Sequence, residues 1–123
     1  MRTILFKAKK LSDGKWVKGS LVKTPFGTFI EWYEDSVCNK EEVDPDTVCQ
    51  FTGLKDRKGK ELFENDLIHF IGYKPIGKVI WSEENYAFMV ASENEALYWL
   101  SDVLEIGKIE IVGNKFDRKE GEK

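Results

Sequence analysis

The 123-residue chain predicts a mainly β fold with little helix. Three observations carry that expectation. Short alternating or apolar runs recur along the sequence, turn residues separate them about every 8–12 positions, and no long amphipathic stretch is available to cover a parallel sheet. A barrel or roll of short antiparallel strands answers all three. The length suits one compact domain, expected over residues 1–114, with a charged tail at 115–123 that frays.

The elements follow in order. In Arg2–Lys9, Ile4 and Phe6 alternate with Thr3, Leu5 and Lys7, which predicts an early strand. Ser12-Asp13-Gly14 supplies a turn. Trp16–Lys23 alternates again and predicts the second arm of a hairpin. Thr24-Pro25-Phe26-Gly27 turns the chain, and Thr28–Tyr33 is rich in β-branched and aromatic residues, as a third strand should be. Glu34–Asp46 is acidic and polar and reads as a surface loop, so residues 1–46 form an N-terminal β portion ending in an acidic loop. Thr47–Leu54 reads as extended. Lys55–Lys60 is a charged tight loop in which Gly59 provides the turn geometry.

Leu62-Phe63 is a short apolar run. Glu64-Asn65-Asp66 then turns tightly, since Asn is one of the few residues other than Gly that tolerates a left-handed backbone. Leu67–Ile71, Gly77–Ser82 and Tyr86–Ala91 predict three strands, joined by turns at Gly72–Pro75 and Glu83–Asn85. Glu95–Leu104 fits two patterns, a helical stripe through Ala96, Leu97, Leu100, Val103 and Leu104 or a buried strand through Ala96–Leu100. The preferred reading is a strand to Leu100 and one helical turn begun by Ser101 or Asp102. Lys108–Val112 is a last short strand. Trp81, Phe88 and Trp99 are expected in the core by their alternation, and any aromatic left outside it would anchor an interface.

Composition excludes several classes. The chain is 41% hydrophobic, 13% aromatic and 33% charged, which is globular rather than disordered. No apolar run reaches the roughly 18 residues of a membrane span. Ile4–Phe6 is too short for the core of an export signal, and Cys38 and Cys49 make no disulfide framework, so a cytoplasmic location without membrane contact is expected.

The net charge of −3 conceals strong patterning. Met1–Lys23 holds seven cations against Asp13 alone, while Thr24–Gln50 holds Lys40 against seven carboxylates. Alternating strand positions that place these groups in water explain the pattern most simply. A bipolar surface that pairs head to tail, or a basic face offered to an acidic partner, explains it more sharply.

No catalytic residue set emerges. His69 is the single histidine, and neither cysteine lies in a motif that lowers a thiol pKa. Three scattered candidates do not make a zinc site. The acidic cluster Glu41-Glu42-Asp44-Asp46 lacks the spacing of a calcium loop. Gly53, Gly59, Gly72 and Gly77 form no phosphate-binding motif. No cofactor, metal or enzymatic activity is expected. Nucleic acid is the alternative partner, through Lys7, Lys9, Lys10, Lys15 and Lys18 with Trp16, or through the loop cations Lys55, Arg57, Lys58 and Lys60. A sequence pI of about 5.3 weighs against a dedicated binder. Thr52, Gly53, Gly59, Asn65, Asp66 and Gly113 are read as residues that define turns and fold.

The block Val43–Ile68, with its DPDTV, QFTGLKD, GKELF and DLI elements, resembles the YopX family of phage-encoded proteins. The opening ILFKAKKLSDGKWVKGSLV and the closing Ile111-Val112-Gly113-Asn114 extend the resemblance over roughly residues 2–116. It implies a small SH3-type barrel over 47–114 and an N-terminal β-hairpin portion. It also implies a phage or prophage protein in the bacterial cytoplasm, and assembly into multimers. It implies no mechanism, because the family has no established biochemical activity. The expected role is therefore a non-enzymatic accessory protein that contacts itself or another host or phage protein. Two positions depart from the family pattern: Asn65 and Cys49 each stand where Gly is usual.

Overall fold

The computed structural model describes residues 3–70, 77–92, 96–106 and 109–117. They form two antiparallel sheets, and the chain divides into two compact units, Met1–Gly53 and Leu54–Lys123.

In the first unit, β1 (Phe6–Lys9) and β2 (Trp16–Thr24) make the expected hairpin, with Lys9 opposite Trp16 and Phe6 opposite Gly19. β3 (Gly27–Glu34) pairs with β2 across the Pro25-Phe26 turn. Thr24 holds that turn, its Oγ1 accepting the Phe26 N–H at 3.1 Å. β4 (Val37–Glu42) pairs with β3, and β5 (Cys49–Lys55) pairs with β1, so the strand order runs β4-β3-β2-β1-β5. Ala8, Ile30 and Val43 are buried together, flanked by Phe6, Val17, Leu21, Trp32 and Val48. One face of the sheet is thus apolar, and burying each large side chain there stabilises by about 1.5–3 kcal/mol.

β4 corrects the reading of Glu34–Asp46 as a loop. Asp35 and Ser36, at φ +49° and +66°, form a two-residue turn between the paired Glu34 and Val37. Two left-handed residues give the turn twist that matches an antiparallel hairpin. No β4 residue is buried, so the strand lacks the apolar alternation by which strands are found. The remainder, Pro45–Thr47, is a single 3-10 turn capped by Asp44, whose Oδ1 accepts the Asp46 N–H at 3.0 Å. Thr47 Oγ1 also accepts the Lys9 N–H at 2.9 Å, which fixes this turn to β1.

After β5 the chain turns back as β6 (Glu61–Phe63), the hydrogen-bonded neighbour of β5 and the sixth strand of the same sheet. In the second unit β7 (Asp66–Phe70), β8 (Gly77–Ser82), β9 (Ala87–Ser92) and β10 (Leu97–Trp99) follow as a meander. Next comes helix α1 (Leu100–Ile106), and then β11 (Ile109–Asn114), which returns beside β7. The order is β10-β9-β8-β7-β11. Leu62, Ile68, Val79, Val90, Leu100, Val103 and Ile109 form its core. The ambiguous segment resolves as a strand of three residues and then a helix from Leu100, whose stripe Leu100 and Val103 is buried.

Three further expectations change. The sheet is open, since among the described residues β10 and β11 are its two edges and do not pair, so the expected barrel is not closed. Trp81 and Trp99 are 40% and 45% exposed; only Phe88 of the three packs against the core. Alternation assigns a face but does not reveal that β10 lies at an edge, where one flank has no neighbour. Lys115–Asp117, expected to fray, are tied back, with the Lys115 N–H donating to Asn65 O at 2.8 Å. The turn expected at Gly72–Pro75, residues 93–95 and the tail from 118 lie outside the described residues.

Candidate functional site

The predicted loop cations sit on the β5–β6 hairpin, and that loop is built around a buried carboxylate. Asp56 is 7% exposed, and its Oδ1 accepts the N–H groups of Lys58 and Lys60, each at 2.9 Å. Its Oδ2 accepts the Ile111 N–H at 3.1 Å, and the Arg57 N–H donates to Ile109 O at 3.0 Å, so the loop is sewn to β11. Burial by itself would raise the Asp56 carboxyl. The three backbone donors and the Lys60 charge outweigh it and hold the group below its usual value.

The four cations do not converge. Arg57 Nη1 lies 3.2 Å and Lys58 Nζ 3.7 Å from Glu110 Oε1. Lys55 and Lys60 are exposed on either arm. On the neighbouring strand, His69 is opposite Glu110, with Nε2 3.6 Å from Glu110 Oε2 and no hydrogen bond to that nitrogen. Two of the four loop cations are therefore directed at one carboxylate of the same unit.

Of the predicted turn residues, Asn65, Asp66 and Gly113 come together. Asn65, at φ +71°, donates its N–H to Val79 O at 2.7 Å. Asp66 is 2% exposed, and its Oδ2 accepts the Phe63 N–H at 2.8 Å. Asn114 Nδ2 donates to Asp66 Oδ1 at 2.9 Å, joining the DLI turn to the end of β11. Gly113 stands just past a bulge that leaves Val112 without a partner on β7 and 47% exposed. Gly59 turns the chain at φ +81°, whereas Thr52 and Gly53 lie within β5, so Gly53, at φ +88°, is a left-handed residue inside a strand and not the expected turn.

Neither cysteine is in a disulfide: Cys38 is exposed on β4, and Cys49 is buried on β5 with its thiol directed to Thr47 O at 3.3 Å. Three strands separate β4 from β5 in the sheet order. Among the described residues no group of three or more His, Cys, Asp and Glu is placed to hold a metal ion, and no helix is long and apolar enough to cross a membrane.

Trp81, Tyr86, Tyr98 and Trp99 are left outside the core, as expected of interface anchors, but the sequence did not disclose that β10 is an edge strand. β10 is Leu97-Tyr98-Trp99, exposed by 49%, 52% and 45%, and it is an edge strand. Trp81 stands nearby on β8, its ring 5.1 Å from that of its cross-strand partner Phe88 at an interplanar angle of 72°. Tyr86, 80% exposed, occupies the β8–β9 turn at φ +50°. The contrast with β4, an edge strand of the first unit, is chemical: β4 carries Lys40, Glu41 and Glu42, whereas β10 has no charge. Charged edges resist strand addition and uncharged ones invite it.

A protein-family model described as YopX protein matches residues 5–120 of the chain. No curated protein matches the sequence.

Proposed function

The chain belongs to the YopX family, and from that membership we propose that it is a non-enzymatic interaction module that assembles with copies of itself. The observation that carries this reading is β10, an uncharged and half-exposed edge strand of Leu, Tyr and Trp. Among the described residues its outer backbone flank has no neighbour, which supports antiparallel addition of an identical strand, and the aromatic side chains supply area to bury. A phage or prophage setting in the bacterial cytoplasm belongs to the same reading, as does an SH3-type roll for the second unit. The strand order β10-β9-β8-β7-β11, with a short helix before the last strand, supports the latter.

Light scattering coupled to size-exclusion chromatography tests the proposal. The expected mass exceeds the 14.2 kDa of one chain and rises with concentration. Leu97→Lys, which places a charge on the edge, returns it to a monomer. A single-chain mass at every concentration, before and after the substitution, overturns the reading. Nucleic-acid binding through Lys55, Arg57, Lys58 and Lys60 has less support, because Arg57 and Lys58 face Glu110.

A further inference from the structure

The phase of the β9–β10 ladder decides which backbone groups of β10 point outward. Leu97 is opposite Ala91, Tyr98 opposite Val90 and Trp99 opposite Met89. One pair further along, the Ser92 N–H donates to Ala96 O at 2.9 Å. In an antiparallel ladder every second opposed pair is hydrogen-bonded, so Ser92–Ala96 and Val90–Tyr98 are the bonded pairs. Leu97 and Trp99 then turn their N–H and C=O to the outer flank, where no strand lies among the described residues. Trp99 immediately precedes α1, and the residue at that position gives its C=O to the first bond of the helix. Within β10, Leu97 is thus the residue with both its N–H and its C=O directed outward.

We propose that two copies of the chain pair antiparallel through β10 about a twofold axis at Leu97. The inference rests on the self-assembly reading above and fixes its register. A bonded antiparallel pair takes a donor and an acceptor from each of the two residues. Leu97 offers both, and a residue that pairs with its own copy lies on the symmetry axis. Centring the pair on Tyr98 instead would set each Leu97 against a Trp99 whose carbonyl the helix holds. Centring it on Trp99 would oppose two such residues.

The side chains agree with this register. Opposed residues share a face, and so do residues two apart on a strand, so Leu97, Trp99 and Ala91 stand on one side of the sheet. On that side the two Leu97 side chains meet, and each Trp99 lies diagonally beside the Leu97 of the other copy. Lys78, opposite Ala91, is the first charge along the row. The row across the joint therefore runs Lys78, Ala91, Leu97 and then the same three in reverse, with its lysines kept apart by apolar residues. On the other side the half-exposed Tyr98 stands over Ala96 of the second copy, a large side chain against a small one. This self-complementarity is what selects an identical strand as the occupant.

Disulfide trapping in a Cys38→Ser background, which removes the exposed native thiol, tests the register. Opposed bonded residues have Cα atoms about 5.5 Å apart, within reach of a disulfide, whereas diagonal positions are about 7–8 Å apart and out of reach. Under a mild thiol oxidant Leu97→Cys should form covalent dimers about tenfold faster, or more, than Tyr98→Cys or Trp99→Cys. Leu97→Pro removes the outward N–H and leaves the ladder to β9 in place, as proline does on an open strand edge. It should have the mass of one chain and keep the native near-ultraviolet circular dichroism. A single-chain mass for the unsubstituted protein at every concentration overturns the self-assembly reading and this inference with it. A multimer that cross-links fastest through Tyr98→Cys or Trp99→Cys keeps the assembly and overturns the Leu97 axis. Association that survives Leu97→Pro, or a native spectrum lost in that variant, overturns the axis as well, since either would mean that the Leu97 N–H is not the outward donor.

Discussion

Asn114 reaches back 48 positions to donate its side-chain amide to Asp66 at 2.9 Å, at a site where both residues are almost wholly enclosed. Asp66 in turn receives the Phe63 N–H, and Asn114 Oδ1 receives the Phe116 N–H at 3.0 Å. One amide therefore ties the turn before β7 to the end of β11. Asn114→Ala removes a donor from a buried carboxylate and an acceptor from a backbone amide. The expected loss is about 2–3 kcal/mol in urea unfolding, since hydrogen bonds to charged groups exceed the usual value. A loss below about 0.5 kcal/mol would show the contact to be incidental.

Asn65 offers a backbone prediction. At φ +71° it occupies a region that Asn tolerates and a β-branched residue resists. Asn65→Val should lower stability by roughly 1–3 kcal/mol, whereas Asn65→Gly should be nearly neutral. Thermal unfolding of the two variants beside the parent decides it. Equal midpoints for Val and Gly would contradict the assigned conformation.

Asp56 sets an acid limit. Its folded-state pKa lies below the ordinary 3.8, so the charged form is the one the fold favours. Its contribution is fully present above the unfolded-state pKa and is lost as pH falls through the folded one. The Asp56 contribution should thus be flat above about pH 5 and decline below about pH 4. Asp56→Asn keeps one acceptor for the N–H groups of Lys58 and Lys60 but turns an amide toward the Ile111 N–H. It should lower stability near neutrality and flatten the acid decline, as read from urea midpoints across the pH range. A parallel decline in parent and variant would place the acid sensitivity elsewhere.

How legible this was in the sequence depends on how each element is made. Turns that require a special backbone announce themselves: Gly59, Asn65 and the Pro25-Phe26 pair were each in place and each turns the chain. β8 was legible to its ends because the apolar run of Gly77–Ser82 is bounded by turn signals, although its burial alternates only from Gly77 to Ile80 and breaks at the exposed Trp81. β4 was not, because a strand exposed on both faces has no hydrophobic pattern, and Asp35-Ser36 lacks the Gly that marks most two-residue turns. The candidate surfaces divide the same way. The lysines and Trp16 were visible as residues, but only the register of β1 against β2 places them on one face. Trp99 looked like core because a run of apolar residues does not disclose which strand lies at the edge.

The thiols should separate by reactivity. Cys38 is exposed on β4, while Cys49 has no accessible surface. An aromatic disulfide reagent should therefore titrate one thiol quickly in the native protein and the second only at the rate of opening. Two fast thiols would mean that β5 does not enclose Cys49.

Gly19 and Gly77 make the sharpest comparison, because both are strand glycines and a Cβ at each meets a different obstacle. At Gly19 the added carbon would overlap the backbone carbonyl of Glu31, with the Glu31 carbonyl carbon only 2.9 Å away. At Gly77 it would meet Val90 Cγ1 at 2.5 Å. A side chain can change rotamer or shift, whereas a carbonyl within the β2–β3 pairing can move only if the strands part. The glycine in the middle of β2 thus marks a close approach of two backbones, the usual reason for Gly inside a strand. Gly77→Ala should cost about 1–3 kcal/mol, the ordinary range for overpacking, and Gly19→Ala more than that. Denaturant unfolding of both variants gives the ranking. The reverse order would show that β2 can yield at Gly19 and that its glycine was not required by the neighbouring strand.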